Sequence, residues 1–205
     1  MRRATNCPRP VVGRVLRESA SGELWPLPCN TWGCSVCGPA KAYRLGVLAA
    51  AASPQRFITL SKVGSDLEIV HERLKTLSKA LRRAGYGWEY LSVPEVHENG
   101  FWHLHLLQRG DFIPQRVLSA RADSAGMGYV VDIRRIRGGA EVPRYLTKYL
   151  TKQTLSAGIG ASKHRKRYRT SRGFWPGGRE ACELKAFGPG RSAWSVESNG
   201  AFSCS

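Results

Sequence analysis

Trp88-Glu89-Tyr90-Leu91-Ser92-Val93-Pro94-Glu95-Val96, His97-Glu98-Asn99-Gly100 and Phe101-Trp102-His103-Leu104-His105-Leu106-Leu107 follow one another in the stretch on which the fold turns. Apolar and aromatic arms flank Glu98-Asn99-Gly100, so the stretch reads as two antiparallel strands, Trp88 to Val96 and Phe101 to Leu107. Side chains alternate across a strand, which sends His103 and His105 to one face. Register decides whether Glu95 joins them. A two-residue Asn99-Gly100 turn sets Glu95 opposite Leu104, on the wrong face. A three-residue loop with Gly100 in the left-handed conformation sets it opposite His103 instead. The second register is the expected one, and it brings His97 close as a spare ligand or supporting partner.

Upstream, Arg56-Phe57-Ile58-Thr59-Leu60 reads as a short apolar strand. Asp66 caps a helix in which Leu67, Val70, Leu74, Leu77 and Leu81 keep helical spacing, and Gly85 ends it. Downstream come a helix from Pro114 to Ala125, a strand from Tyr129 to Ile136, and a helix from Glu141 to Thr154 that carries Pro143 in its first turn. Strands interleaved with helices, and one hairpin among them, predict an α+β fold: a ferredoxin-like antiparallel sheet with helices packed on it.

Before this core, Val11 to Leu16 and Glu23 to Leu27 read as strands around Ser19-Ala20-Ser21-Gly22, and a helix from Lys41 to Ala52 is closed by Pro54. Three of the six cysteines lie there within nine residues. Cys29-x4-Cys34-x2-Cys37 is a three-ligand zinc pattern, and a tetrahedral structural site needs a fourth ligand. Cys7, returned by the hairpin, is the natural one; Cys182 or a histidine is the alternative. The expected divisions are 1–53, a small N-terminal zinc-binding module; 54–155, the sheet-and-helix core; and 156–205, a basic extension packing on the core.

Thirty-two Lys and Arg against fifteen Asp and Glu give a formal charge of +17 over 205 residues. Such an excess gathers polyanions, so nucleic acid is the expected partner. No apolar leader or membrane-length run is visible, so a cytoplasmic location with no membrane partner is expected, with cysteines serving as metal ligands or free thiols. In the tail, Lys163, Arg165, Lys166, Arg167, Arg169 and Arg172 form a cationic run suited to a phosphate backbone, and Tyr168, Phe174 and Trp175 are candidates for base stacking.

Glu95, His103 and His105 make a carboxylate and two imidazoles that would hold Mg²⁺ or Mn²⁺ with positions left for phosphate oxygens. Arg144-Tyr145-Leu146-Thr147-Lys148-Tyr149-Leu150-Thr151-Lys152 contains two overlapping Tyr-x-x-Lys units. On a helix Tyr145, Lys148, Tyr149 and Lys152 share one face. A phenol becomes a nucleophile when it loses its proton, and neighbouring cations favour that form.

Phe57-Ile58-Thr59-Leu60, then Glu95 ahead of His103-Leu104-His105, then the doubled tyrosine unit resemble the ordered motifs of HUH endonucleases over roughly residues 55 to 155. The doubled tyrosine is similar to that of replication initiators of small single-stranded DNA phages and related plasmids. The resemblance implies a rolling-circle initiator that nicks single-stranded DNA at an origin through a 5′-phosphotyrosine and leaves a 3′-hydroxyl as primer. It also implies transfer of the strand to a second tyrosine. Tyr149 is the first candidate nucleophile and Tyr145 its partner; Lys148 is the principal phosphate-contacting cation, with Lys152 behind it. No Gly-x-x-x-x-Gly-Lys-Ser/Thr loop is present, so unwinding and synthesis fall to a helicase and polymerase of a bacterial host. A relaxase or transposase would share this chemistry. A non-catalytic single-stranded nucleic-acid-binding zinc protein, or a small-nucleotide phosphodiesterase, would not need paired tyrosines.

Overall fold

The computed structural model describes residues 7–8, 10–12, 14–18, 21–61, 63–97, 100–155, 167–189 and 194–198, without the side chains of 18, 152–155 and 194–198. The central segment runs β3 (Arg56–Leu60), α2 (Leu67–Arg83), β4 (Trp88–Val96), β5 (Trp102–Gly110), α3 (Gln115–Ser124), β6 (Val131–Arg135) and α4 (Glu141–Leu155). It is preceded by β1 (Arg14–Glu18), β2 (Leu24–Pro26) and α1 (Cys37–Ala51), and followed by β7 (Arg169–Thr170), α5 (Arg179–Phe187) and β8 (Trp194–Ser198). The fold is α+β, and its larger sheet has five strands in the order β6-β3-β5-β4-β7, antiparallel at each junction.

Period-two alternation sorts the sheet into two faces. Ile58, Leu60, Leu104 and Leu106 point to α2 and α3, where Leu74, Leu77, Leu81 and Leu118 complete one core. Phe57, Leu91, Val93 and Leu107 point the other way, to α1 and α4. That second face carries Glu95, His103 and His105. The hairpin has the three-residue register: Glu95 lies opposite His103. His97 N–H donates to the Phe101 carbonyl at 2.9 Å, and Gly100 has φ +80°, the left-handed turn that a side chain would resist.

β5 continues three residues beyond the expected end at Leu107. Gln108 and Arg109 hide the continuation because they are polar, yet Gln108 is buried and its side-chain carbonyl accepts from Arg56 Nη1 at 2.9 Å. α2 starts as expected, with the Asp66 carboxylate accepting from the N–H groups of Glu68 and Ile69 at 2.8 and 3.1 Å. α1 starts four residues earlier than its apolar pattern suggests, at Cys37, with Pro39 in the first turn where its missing N–H costs nothing. α1 crosses α4 at Gly46: a Cβ there would lie 2.3 Å from Pro143 Cα, so the close approach requires glycine.

The tail contributes more order than its composition implies. β8 pairs with β1, making a second sheet in the order β2-β1-β8, and α5 buries Cys182 in the α1–α4 core. Among the described residues no helix is long and apolar enough to cross a membrane.

One core residue ties stability to pH. His71, on α2, is 3 % exposed, and its Nδ1 has no hydrogen-bond partner among the described residues. Burial first, and Arg169 second, lower its pKa from 6.5 to about 4. A depressed histidine contributes stability that is present above pH 6.5 and is lost as pH falls through about 4. A fall of that size corresponds to about 3 kcal/mol. In His71→Leu, the dependence of unfolding free energy on pH across that window is expected to lose one proton's worth of slope. Denaturant titrations at several pH values read it, and an unchanged slope would show that His71 charges freely in the folded protein.

Candidate active site

Three strands and one helix meet at His105. β5 supplies His105, buried at 4 % exposure, and β4 supplies Glu95, whose Oε2 lies 2.6 Å from His105 Nε2. β3 supplies Thr59, directly opposite His105 in register, with Oγ1 at 3.3 Å from His105 Nδ1. α4 lays Tyr145 and Tyr149, one turn apart, over this face. The Tyr145 hydroxyl is 3.3 Å from His105 Nδ1, while the Tyr149 ring stacks on the imidazole at 3.5 Å between centroids and 20° between planes.

Both tyrosines are held by ring contacts but differ in access. Tyr145 stacks on Phe57 at 4.1 Å, is half-buried and is among the residues that line a cavity. Tyr149 is 8 % exposed and meets Tyr145 edge-on at 4.8 Å. Burial pushes the Tyr145 phenol well above its usual range; Thr59 counteracts this by hydrogen bonding, and Tyr149 adds to it. The phenol therefore needs a proton acceptor or adjacent positive charge to react near neutrality.

His103 lies opposite Glu95 in register, and its ring stacks on His97 at 5.1 Å and 11°. A carboxylate and imidazoles on one face are a donor set suited to Mg²⁺ or Mn²⁺.

Beside Tyr145 opens a cavity of about 560 Å³ between the end of β6 and α4. Arg134, Arg135 and Arg137 line one side; Arg144 and Lys148 line the other. Glu141 is the one carboxylate on this wall, and its Oε2 accepts from the Arg137 backbone N–H at 3.3 Å. Lys148 Nζ also sits 5.3 Å from the Tyr149 ring centroid. Lys152 belongs to α4, with its side chain outside the described residues. The sequence reading named Lys148 but missed Thr59 and the arginines. Thr59 was legible from its alternation with Phe57, and Arg134-Arg135-x-Arg137 was visible as a basic run ahead of α4.

The four cysteines converge as expected. The sulfurs of Cys7, Cys29, Cys34 and Cys37 lie within 4.8 Å of one another, with Cys7–Cys34 at 3.8 Å and Cys29–Cys37 at 3.7 Å. A tetrahedron with Zn–S bonds of about 2.3 Å has edges of about 3.8 Å, so this group could hold a metal such as zinc. The Thr31 hydroxyl and backbone N–H lower the Cys29 thiol to about 6, and the Cys37 N–H lowers Cys34. Burial raises Cys37 to about 12. Cys182 stands apart and donates to the Pro176 carbonyl at 3.7 Å.

The basic tail divides differently from the expectation of a continuous DNA-tracking run. Lys163, Arg165 and Lys166 lie outside the described residues. Arg167 is only 7 % exposed, so its guanidinium faces protein and cannot track a strand on the surface. Arg169 is half-buried and ion-paired with Glu68 at 3.4 Å, whereas Arg172 is exposed. Phe174 has no exposure and offers no face to a base, whereas Tyr168 and Trp175 are half-buried against the α1–α4 core. Arg109 helps fix this segment by donating to the Gly173 and Phe174 carbonyls.

The segment that builds the face around His105 is also the one with known likeness. Residues 55–154 match the family model of the replication-associated protein ORF2. No curated protein and no solved structure matches the chain. The matched segment includes the hairpin, Thr59, Tyr145, Tyr149 and the arginine-lined cavity; the cysteine cluster and everything from β7 onward lie outside it. The match supports a replication initiator.

Proposed function

We propose that the protein is a rolling-circle replication initiator of the HUH endonuclease class that cuts single-stranded DNA at an origin. Tyr145 is its first nucleophile. The observation that carries this reading is the chain Glu95–His105–Tyr145, with contacts of 2.6 and 3.3 Å, ending at a cationic cavity. The strand order of the βαββαβ segment, β6-β3-β5-β4, supports a ferredoxin-like core for it.

The chemistry follows from the residues. With Nε2–H donated to Glu95, His105 Nδ1 accepts from the Tyr145 hydroxyl and takes its proton as the phenol oxygen bonds to phosphorus. The bond from phosphorus to the 3′-oxygen breaks, and that oxygen takes a proton from solvent to become a free 3′-hydroxyl. Lys148 and the arginines balance charge on the phosphoryl oxygens. Glu95 and His103, opposite each other in register on the same face, are the residues that would hold Mg²⁺ or Mn²⁺ while His105 takes the proton. A divalent ion there supplies Lewis-acid polarisation of the phosphodiester. Tyr149 is suited to a second cut by its contact with the same imidazole. The cysteine cluster holds structural zinc, and a host helicase and polymerase extend the 3′ end.

The test is incubation of an end-labelled single-stranded library with protein and Mn²⁺, resolved on a denaturing gel. Metal-dependent covalent adducts, lost in the Tyr145→Phe/Tyr149→Phe double variant, are expected. Retention of DNA without cleavage selects the non-catalytic binding protein, and adducts in the double variant would remove the assignment.

A further inference from the structure

We infer that the cavity between β6 and α4 is a binding subsite for the sugar–phosphate backbone of single-stranded DNA, with Arg134, Arg137 and Arg144 as its phosphate contacts. This deepens the proposed function and rests on it for the identity of the strand. Five cations against one carboxylate line the cavity, and the carboxylate is already engaged by the Arg137 N–H. All four arginines are exposed, and Arg134 also ion-pairs through Nε with Asp132 at 2.9 Å. Guanidinium groups match phosphate oxygens with paired, planar donors, which suits a polyanion better than a small neutral ligand.

Shape narrows the class. A volume of about 560 Å³ falls in the range that encloses a drug-sized molecule, hence one or two nucleotides and not a duplex. Tyr145 is one of the lining residues, so a strand lying in the cavity runs beside the proposed nucleophile. Arg134 is directly opposite Phe57 across β3 and β6, which turns it toward the same sheet face as the tyrosines. The basic run beyond Lys163 is not needed for this contact.

The experiment measures anisotropy of a fluorescein-labelled mixed-sequence 20-mer against full-length protein over a salt series, with EDTA present so that cutting plays no part. Each phosphate contact to a single strand contributes about 0.7 to the log–log salt slope, or about fivefold in affinity at 0.1 M salt. The Arg134→Ala/Arg137→Ala/Arg144→Ala triple is expected to lower the slope by about 2 and weaken binding about 100-fold. The corresponding triple Lys variant keeps the slope and shows that loss of charge, not of fold, is read. A charge-matched control, Lys79→Ala/Arg83→Ala/Arg116→Ala on the opposite face, is expected to change little. Equal loss in the control, an unchanged slope in the first triple, or competition by millimolar inorganic phosphate as effective as unlabelled oligonucleotide would overturn the subsite. Binding lost in the triple alongside a wild type that never forms adducts keeps the subsite and removes the nicking reaction; adducts formed with unaltered binding in the triple do the reverse.

Discussion

Tyr145→Phe is expected to lower the rate of first-strand cleavage by roughly 10³-fold or more, because it removes the attacking atom and leaves the ring packed. The phenyl ring keeps the stack on Phe57 at 4.1 Å, so oligonucleotide affinity measured in EDTA should stay within about threefold. Tyr149→Phe likewise preserves the ring that lies 3.5 Å from the imidazole. It should cut once at close to the wild-type rate and fail to transfer the strand. The asymmetry comes from position: Tyr145 lines the cationic cavity with its hydroxyl 3.3 Å from His105 Nδ1, whereas Tyr149 is 8 % exposed with its ring stacked on the imidazole. Because burial raises the Tyr145 phenol, the wild-type single-turnover rate should climb with pH between about 7 and 9 as the phenolate fraction grows. Mass spectrometry of the trapped adduct locates the modified tyrosine. Modification of Tyr149 in the wild type, with Tyr145→Phe cutting at full rate, would reverse the order.

Where local rules settle conformation, the sequence was readable. The Glu98-Asn99-Gly100 loop fixed the β4–β5 register, and with it the pairing of Glu95 and His103, because a one-residue slip would have turned every side chain to the other face. Asp66 and the leucine spacing marked α2 for the same local reason. What the pattern could not give was partner choice between side chains sharing a face. His103 and His105 project together from β5, but the rings they stack on, His97 for one and Tyr149 of α4 for the other, lie outside that strand. Arg167 and Phe174 misled for a related reason. Their sequence neighbours are charged and glycine-rich, while both are buried, Phe174 in a core shared with residues of β4, α1 and α4 that are distant along the chain. β8 alternates Trp194, Val196 and Ser198 with Ser195 and Glu197, a strand signal that only its pairing with β1 made legible.

If the cysteine cluster holds zinc, removing the metal should destabilise the face around His105 without touching it. Cys34 is 2 % exposed, its sulfur lies 3.8 Å from Cys7, and it accepts from the Cys37 N–H at the point where α1 begins. α1 then packs Ala42, Leu45, Leu48 and Ala49 against Val142, Leu146 and Leu150 of α4, the helix that carries both tyrosines. Structural zinc contributes about 10 kcal/mol or more to folding of small zinc modules, and losing even half of that shifts the midpoint of a chain this size by about 10 °C or more. Purified protein should therefore carry one zinc per chain, and chelation or Cys34→Ser/Cys37→Ser should abolish it, lower Tm by about that amount and depress cleavage. Metal analysis, thermal unfolding and the Mn²⁺ cleavage assay read these outcomes separately. A chain that contains no zinc as purified, or whose Tm is indifferent to chelator, would mean that four thiols hold the start of α1 by packing alone. Depressed cleavage with an unchanged Tm would instead place the cluster in contact with DNA, since in that case the helix bearing Tyr145 would not have moved.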